Sequence, residues 1–201
     1  RFDAFRTHAV ALDRDNLRLR ASHPQSHQGV CADAIATLEG ISRKDVDSLA
    51  LESQQRAAKA IAGGHFSKSL IPVRDADGRL VLDHEEFPRP QTTMEGLAAL
   101  RPSFAAMADI ALDEHGTSFR KLILQQYPDL DITFMHHAGN SSGVVDGAAA
   151  LLLASPSYAN RHGMTARARV VAIANVGDSP TLMLNAPVPA ARKVLAKADR
   201  S

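Results

Sequence analysis

The pattern of apolar and polar positions predicts its clearest helix between Ser42 and Gly63. Ser42 is a good N-cap, and Asp45, three residues later, resembles the second half of a capping box. Gly63 and Gly64 predict the end of the helix. Glu52 and Arg56 are spaced to pair across one turn. The residues that repeat at helical spacing predict a narrow face of small side chains for packing: Val46, Leu49, Ala50, Ser53, Ala57, Ala60 and Ile61.

Weaker periodicity predicts further elements on both sides of this helix. Residues 1–30 are polar and irregular and are interpreted as loop. A hairpin is predicted from strands at 70–73 and 79–83, joined by the turn Asp75-Ala76-Asp77-Gly78. Short helices are predicted at 32–39, 93–100, 156–162 and 187–198, and mixed helical periodicity over 103–130, around a break at Gly116, predicts a helical insertion.

Two segments near the end of the chain have the composition of strands. Residues 148–154 form an unbroken apolar run, typical of a strand buried on both faces or of a short core helix. Residues 167–176 alternate and are rich in β-branched side chains, which favours a strand. The resulting order of strand, helix, strand and helix predicts an α/β layered fold.

Composition excludes several classes of protein. The chain has 201 residues, 45% hydrophobic and 22% charged, so it can bury a core as one large domain or as parts of two. A net charge of +1 argues against a nucleic-acid groove. The longest apolar runs are too short for a membrane span. With one cysteine and no secretory signal, the expected compartment is reducing and cytoplasmic.

Several residues suggest chemistry, and each also has a purely structural interpretation. Cys31 is predicted at a helix start, where a thiolate could be favoured, but the structural interpretation, a small residue packed at the start of a helix, is preferred. His23 and His27 have a metal-like spacing that Pro24 disrupts. The acidic run at 83–86 is interpreted as a solvated surface, so no metal site is predicted. Arg89 lies between two prolines, on a stiff backbone that suits anion binding.

A glycine-rich stretch precedes the apolar run at 148–154. Gly139, Gly143 and Gly147 would let the backbone approach a ligand closely, and residues 140–142 add short polar side chains. Such a stretch is also common before a core strand, where it has a structural role. The residues alone leave both interpretations open.

Taken together and in order, the motifs resemble those of thiolases, the acyl-CoA acyltransferases that make or cleave 3-ketoacyl-CoA. The similarity extends from about residue 27 to the end of the chain. The matching stretches are residues 42–57 ("SR..D.FA..SQ..A"), 66–73 ("F...I.PV"), 83–97 ("DE..RP.TT.E.L"), 139–149 ("GN.SG..DGAAA") and 186–190 ("GP.PA").

The resemblance implies a thiolase-like layered αβαβα fold and a division of the chain into three parts. Residues 1–143 would be the loop domain that binds coenzyme A, with the helical insertion near 103–130. Residues 144–163 would be the last strand and helix of the N-terminal catalytic half, and residues 164–201 the start of the C-terminal half. We therefore expect a central fragment of a thiolase, which also agrees with a chain that starts without methionine.

The resemblance also implies candidate residues for binding coenzyme A or acyl-CoA, the expected substrates, with no permanently bound cofactor. The glycine-rich stretch would run beside the pantetheine, with the Ser142 hydroxyl near its amides, and Arg89 would lie near the nucleotide. The candidates are His27, Arg89, Ala138, Gly139, Ser141, Ser142 and Val144. Two departures from the family pattern are Gln28, in place of a methionine, and the pair His136-His137, in place of small residues.

The catalytic motifs of thiolases are not found in these 201 residues. The Asn-Glu-Ala-Phe loop and the Gly-His-Pro motif are missing, and Cys31 does not match the nucleophile, so no catalytic residue is assigned and the chain alone is predicted to be inactive. Two alternatives stay open, an inactive CoA-binding fragment and a lipid-transfer relative of thiolases. The complete enzyme is expected to be a dimer or tetramer, with a β-oxidation partner as a further possibility.

Overall fold

Side-chain caps begin most of the helices in this protein. The computed structural model describes residues 16–200, so the predicted loop over residues 1–15, with His8, lies outside the described residues. The eight helices of the described part are α1 (Leu17–Ser22), α2 (Gln28–Leu38), α3 (Arg43–Ala62), α4 (Met94–Ala98), α5 (Ala105–Ala108), α6 (Phe119–Leu124), α7 (Pro156–Arg161) and α8 (Pro187–Lys197). None of them is long and apolar enough to cross a membrane.

The strongest local prediction, helix α3, is confirmed together with its capping box. The Ser42 side chain accepts from the Asp45 N–H, and the Asp45 carboxylate accepts from the Ser42 N–H at 2.9 Å. The buried face of α3 agrees with the predicted one only in part, since Val46, Ala50, Ala57 and Ala60 are half-buried but Ser53 and Ile61 are exposed. Leu49 is 69% exposed, whereas Asp47 is buried. The inward position is therefore occupied by a carboxylate with partners, which apolar periodicity does not detect.

The other predicted helices form with shifted ends. Helices α4, α7 and α8 occupy the predicted places, and α5 and α6 lie within the predicted helical region at 103–130. The predicted loop at 1–30 is wrong where α1 forms and where α2 begins. Helix α2 starts at Gln28 because the His27 side chain accepts a hydrogen bond from the Gly29 N–H and caps the helix.

A short antiparallel hairpin confirms the predicted turn. Strand β1 (Val73–Arg74) pairs with β2 (Leu80–Leu82), with Val73 opposite Leu82. The Asp75 carboxylate accepts from the Asp77 and Arg79 N–H groups at 3.0 and 2.9 Å and closes the turn. This two-stranded sheet is the only sheet in the described part of the chain.

By its internal contacts the chain separates into two units. The first comprises the described residues up to Gly143 together with Pro180–Leu182, and the second comprises Val144–Ser179 and Met183–Ser201. The core of the first unit joins α2, α5 and α6 with a nearby extended segment. Its buried members are Val30, Ala34, Ala108, Phe119, Leu122, Ile123, Ile132 and Leu182.

The two strands predicted in the second unit are not formed. Leu151, Leu152 and Leu153 are 86%, 79% and 72% exposed, so the predicted buried strand or core helix at 148–154 is wrong for this structure. Residues 167–176 also have no paired strand. A strand forms only when a neighbour accepts its backbone hydrogen bonds, and the described residues supply none for these segments.

One face of the second segment is nevertheless covered. Burial alternates along residues 171–176, with every second residue half-buried. Lys193 and Lys197 of α8 donate to the carbonyl oxygens of Asn175 and Ile173, each at 3.1 Å. Helix α8 therefore lies along this segment, as a helix lies on a strand, while the side chain of Ile173 stays 75% exposed.

The lack of backbone partners predicts weak protection in the second unit. We expect the amides of residues 148–154 and 167–176 to exchange with solvent almost as fast as in an unfolded chain, whereas those of α2 and α3 exchange slowly. Hydrogen exchange followed by mass spectrometry would measure this. Slow exchange in both segments of a monomer would contradict the structural assignment.

Candidate functional site: a groove between two helices and a glycine loop

A groove in the first unit brings together residues that lie far apart in the chain. It has a volume of about 360 Å³ and lies between α3, α4, the segment that precedes α4 and residues 137–143, called here the glycine loop. We call it the α3–α4 groove. Its lining residues are Gln54, Phe87, Arg89, Gln91, Thr92, Thr93, Gly96, Leu97, Leu100, Ala138, Gly139 and Ser141.

Four of the seven candidate residues meet in this groove. Arg89, Ala138, Gly139 and Ser141 line it, and Arg89 is the one charged side chain among the lining residues. The other candidates, Ser142, Val144 and His27, do not belong to the lining.

Each of these three candidates occupies a different setting. Ser142 is exposed and adjoins Ser141 in the chain. Val144 belongs to the second unit and is 96% exposed. His27 caps α2, and its ring packs against Phe104 and Phe119 at centroid distances of 5.6 and 5.5 Å. Burial lowers the pKa of His27, which suits a neutral ring that accepts a hydrogen bond.

The backbone at Arg89 is held by neighbouring polar side chains. The Gln54 side chain of α3 accepts from the Arg89 N–H at 2.7 Å. The Thr92 hydroxyl donates to the Arg89 carbonyl at 2.7 Å. The guanidinium carbon lies 6.0 Å from the centre of the Phe87 ring, at the outer limit of a cation–π contact. The exposed cation is thus presented on a fixed backbone beside an aromatic ring.

Two glycines allow the glycine loop to approach its neighbours. A Cβ atom at Gly139 would lie 2.7 Å from the Leu97 side chain and 2.9 Å from the Leu100 side chain. A Cβ atom at Gly143 would overlap the Phe87 ring. Any side chain at these positions would push the loop away from α4 or from the Phe87 ring and change the groove.

A fully enclosed carboxylate ties the glycine loop to α3. The side chain of Asp47 is 2% exposed and accepts from Arg43 Nε at 2.7 Å. It also accepts from Asn140 Nδ2 at 2.9 Å and meets His137 Nε2 at 3.0 Å. The same Arg43 donates to the carbonyl oxygens of Leu97 and Leu100 at 2.6 and 2.9 Å, so α4 joins the cluster.

The protonation of this cluster follows from its contacts. Gly139 N–H donates to His137 Nδ1 at 3.0 Å, so the proton of the neutral ring is on Nε2 and is donated to Asp47. Burial and the nearby Arg43 lower the pKa of His137, against the opposing effect of Asp47. Burial acts to raise the pKa of Asp47, but the hydrogen bonds from Arg43 and Asn140 outweigh it and lower that pKa.

A second buried aspartate holds the residues that lead into the glycine loop. Asp33 of α2 is fully buried, and one of its oxygens accepts from the N–H groups of Met135 and His136 at 2.9 and 3.0 Å. The same oxygen meets His136 Nδ1 at 2.7 Å. Each histidine of the pair that departs from the family pattern therefore has its own carboxylate partner.

Sequence reasoning missed Asp33, Arg43 and Asp47. The only signal was the spacing of Arg43 and Asp47 by one helical turn, which is equally typical of an exposed pair. The partner of Asp47 lies 90 residues further along the chain. Only the fold shows that these residues meet.

The single cysteine and the acidic run carry no chemistry in this structure. Cys31 is buried in α2, its thiol donates to the Thr181 carbonyl oxygen at 3.2 Å, and burial raises the pKa of Cys31 to about 11. It is therefore not an activated nucleophile. The run at 83–86 is exposed, as predicted. Within residues 16–200, no three His, Cys, Asp or Glu side chains come together in an arrangement that could hold a metal ion.

Comparison with known proteins finds a thiolase family model and thiolase relatives. The family model described as "Thiolase, N-terminal domain" matches residues 8–110. A beta-ketoadipyl-CoA thiolase of Pseudomonas aeruginosa is 41% identical over 84% of this chain and 36% of its own length. A 3-oxoadipyl-CoA/3-oxo-5,6-dehydrosuberyl-CoA thiolase of Escherichia coli is 40% identical over 85% of this chain and 37% of its own length.

A third relative differs in the acyl group that its name indicates. An acetyl-CoA acetyltransferase of Thiocystis violacea is 39% identical over 87% of this chain and 38% of its own length. The chain thus spans little more than a third of the length of the curated relatives that it matches.

The buried cluster predicts that the two ion pairs of α3 contribute very differently to the free energy of unfolding. Asp47→Ala leaves Arg43 and His137 without their shared acceptor, and we expect it to lower the free energy of unfolding by about 3–5 kcal/mol. Urea unfolding followed by circular dichroism would measure the change.

Glu52→Ala is the matched control, because Glu52 pairs with Arg56 over the same spacing but at the surface. Its loss should change the free energy of unfolding by no more than about 0.5 kcal/mol. Equal effects of the two substitutions would show that the Asp47 cluster does not hold this unit together.

Proposed function

Because the chain belongs to the thiolase family, we propose that its first unit binds the coenzyme A part of a 3-ketoacyl-CoA thioester in the α3–α4 groove. The observation that carries the proposal is the meeting of Arg89 with Ala138, Gly139 and Ser141 around one cavity. These residues come from two separate motifs of the family resemblance.

The names of the relatives support coenzyme A as the common ligand. The names of the relatives from Pseudomonas aeruginosa and Escherichia coli share the 3-oxoadipyl (beta-ketoadipyl) group, and the Escherichia coli name adds a dehydrosuberyl group. The Thiocystis violacea name indicates acetyl instead, but each of the three names contains coenzyme A. A site common to such proteins would recognise the part of the substrate that does not change.

The chemistry of the groove suits the two halves of coenzyme A. Arg89 is an exposed cation beside an aromatic ring and would bind phosphate or stack on adenine. The Leu97 and Leu100 side chains would contact the apolar parts of pantetheine. Its amides would bond to the backbone or hydroxyls of the glycine loop, with Ser141 in the lining and Ser142 next to it. His27 does not line this groove, and its Nδ1 accepts from the Gly29 N–H at the start of α2, so its contact with coenzyme A stays a prediction.

We propose that the complete protein is a thiolase-type acyltransferase and that these 201 residues contribute binding rather than bond chemistry. In that reaction an acyl group passes through a cysteine thioester, which requires a reactive thiolate. Cys31 has the opposite properties, since it is buried and its pKa is raised to about 11. The chain alone should therefore not turn over a 3-ketoacyl-CoA.

Family membership also supports proposals about the complete protein. We propose a cytoplasmic dimer or tetramer with lipid-related acyl-CoA substrates. The exposed leucines of residues 151–153 and the exposed face of Ile173 in the second unit agree with further strands that would cover them in the complete protein.

Substitutions at the groove should weaken coenzyme A binding. We expect Arg89→Ala and Ser141→Ala, which change two residues of the lining, each to reduce affinity by about 1–3 kcal/mol, or roughly 5- to 150-fold, through loss of a charge-assisted or buried hydrogen bond. Isothermal titration calorimetry with coenzyme A would measure both. The loss from Arg89→Ala should disappear when pantetheine replaces coenzyme A, because pantetheine lacks the nucleotide.

Arg79→Ala is a matched control, since Arg79 is an exposed arginine of the hairpin that does not line the groove. Its affinity for coenzyme A should equal that of the wild type. Unchanged affinity in both groove variants would show that coenzyme A does not bind there. Ser141→Ala, tested beside Ser142→Ala, would identify which hydroxyl contacts the ligand.

A further inference from the structure

The cluster around Asp47 does more than stabilise the first unit, because it sets the backbone of the groove wall. His137 lies between the buried carboxylate and the Gly139 N–H, and it bonds to both. Ala138 and Gly139, which line the groove, follow it directly in the chain. The position of this wall therefore depends on one imidazole ring and on which of its nitrogens carries a proton.

We propose that Asp47 and His137 are positioning residues for the α3–α4 groove, and that protonation of His137 Nδ1 releases the groove wall and weakens binding of coenzyme A. The inference rests on the proposed function for its ligand. It adds the regulation of the same site by acid.

The hydrogen bonds of His137 couple the protonation of its ring to the backbone at Gly139. Neutral His137 accepts the Gly139 N–H at Nδ1, at 3.0 Å, and donates from Nε2 to Asp47, also at 3.0 Å. A protonated ring has two donors and no acceptor. The Gly139 N–H and the new Nδ1–H would then point at each other, so this bond must break and the backbone at Gly139 must move.

Tight packing at Gly139 links the backbone there to α4. The side chains of Leu97 in α4 and of Leu100, just after the helix, lie so near that even a single added carbon atom would overlap them. The wall has little freedom to adjust while it stays in contact with α4. A movement of the backbone at Gly139 would therefore change the distance between the loop and α4, both of which line the groove.

Three charged or titratable side chains act on the His137 ring. From α3 these are Asp47, which favours the protonated ring, and Arg43, which opposes it, and from the same loop His136 also opposes it. Arg43 also binds the carbonyl oxygens of Leu97 in α4 and of Leu100, which follows the helix. Burial is the largest effect, and together these lower the pKa of His137 below its ordinary value of 6.5. The ring is thus neutral at pH 7, and the groove wall is intact there.

Because the pKa of His137 is lowered, the Kd for coenzyme A should change with pH only in acid. If binding needs the neutral His137 ring, the Kd for coenzyme A stays constant at neutral pH. In acid it rises by about tenfold for each pH unit below the pKa that His137 has in the folded protein. Calorimetry of the whole chain with coenzyme A across this pH range would measure the rise.

Two variants isolate the role of His137. His137→Gln keeps a side-chain donor for Asp47 but has no group that titrates, so its Kd should lack the wild-type rise that belongs to His137. Any titration of coenzyme A itself affects both proteins equally and cancels in the comparison. His84→Gln removes an exposed histidine that pairs with Asp83 outside the groove, and it should keep the wild-type pH profile.

A ligand-free measurement tests the same inference without the proposed function. In nuclear magnetic resonance spectra of the labelled chain, the Gly139 amide signal should move with pH and follow the titration of the His137 ring. A Gly139 signal that does not follow this titration, or an equal pH profile of Kd in wild type and His137→Gln, would overturn the inference. Absence of coenzyme A binding at every pH would overturn the proposed function, and the ligand-free titration would then decide the coupling of His137 to Gly139.

Discussion

One buried carboxylate holds together the parts of the protein that form its groove. Asp47 is almost completely enclosed, and an isolated charge at such a place would be strongly destabilising. Three donors offset this, from Arg43, Asn140 and His137. Because these donors come from helix α3 and from a loop 90 or more residues away, the charge can be satisfied only when both segments are in place. The carboxylate thereby specifies their arrangement as well as stabilising it.

The second buried aspartate explains a feature of the sequence that the family resemblance left open. The pair His136-His137 occupies positions where small residues are more usual, and it had no evident purpose in the sequence. In the structure His136 meets Asp33 of α2, and His137 meets Asp47 of α3. The two histidines attach one short segment to two successive helices. The glycine loop is consequently set by polar contacts on one side and by close packing against α4 on the other.

The parts of the structure that were predictable from sequence depend on local interactions. The cap at Ser42 and the turn at Asp75 act within a few residues, and both form as their patterns indicate. The family resemblance pointed to Arg89 and the glycine loop as candidates, but it did not identify the side chains that hold them in place. Those contacts join distant positions, and nothing in the spacing of residues 43 and 47 distinguishes a buried pair from an exposed one.

The two missing strands show a different limit of prediction. Residues 148–154 and 167–176 have the composition of strands. Composition favours an extended backbone, but it does not provide the neighbouring strand that a sheet needs. A strand requires a second strand to accept its hydrogen bonds, and the described residues offer none to either segment. Burial alternates along 171–176, beside α8, so one face of this segment is covered as in a strand. The other face is exposed.

The central claim is that coenzyme A binds between α4 and the glycine loop, and chemical-shift mapping tests it most directly. Coenzyme A would be titrated into the isotopically labelled chain at neutral pH while every assigned amide signal is followed. The account predicts saturable shifts concentrated at Arg89, Gly96, Gly139 and Ser141, with the hairpin and helix α8 unaffected. Shifts that are absent, that do not saturate, or that concentrate elsewhere would contradict it.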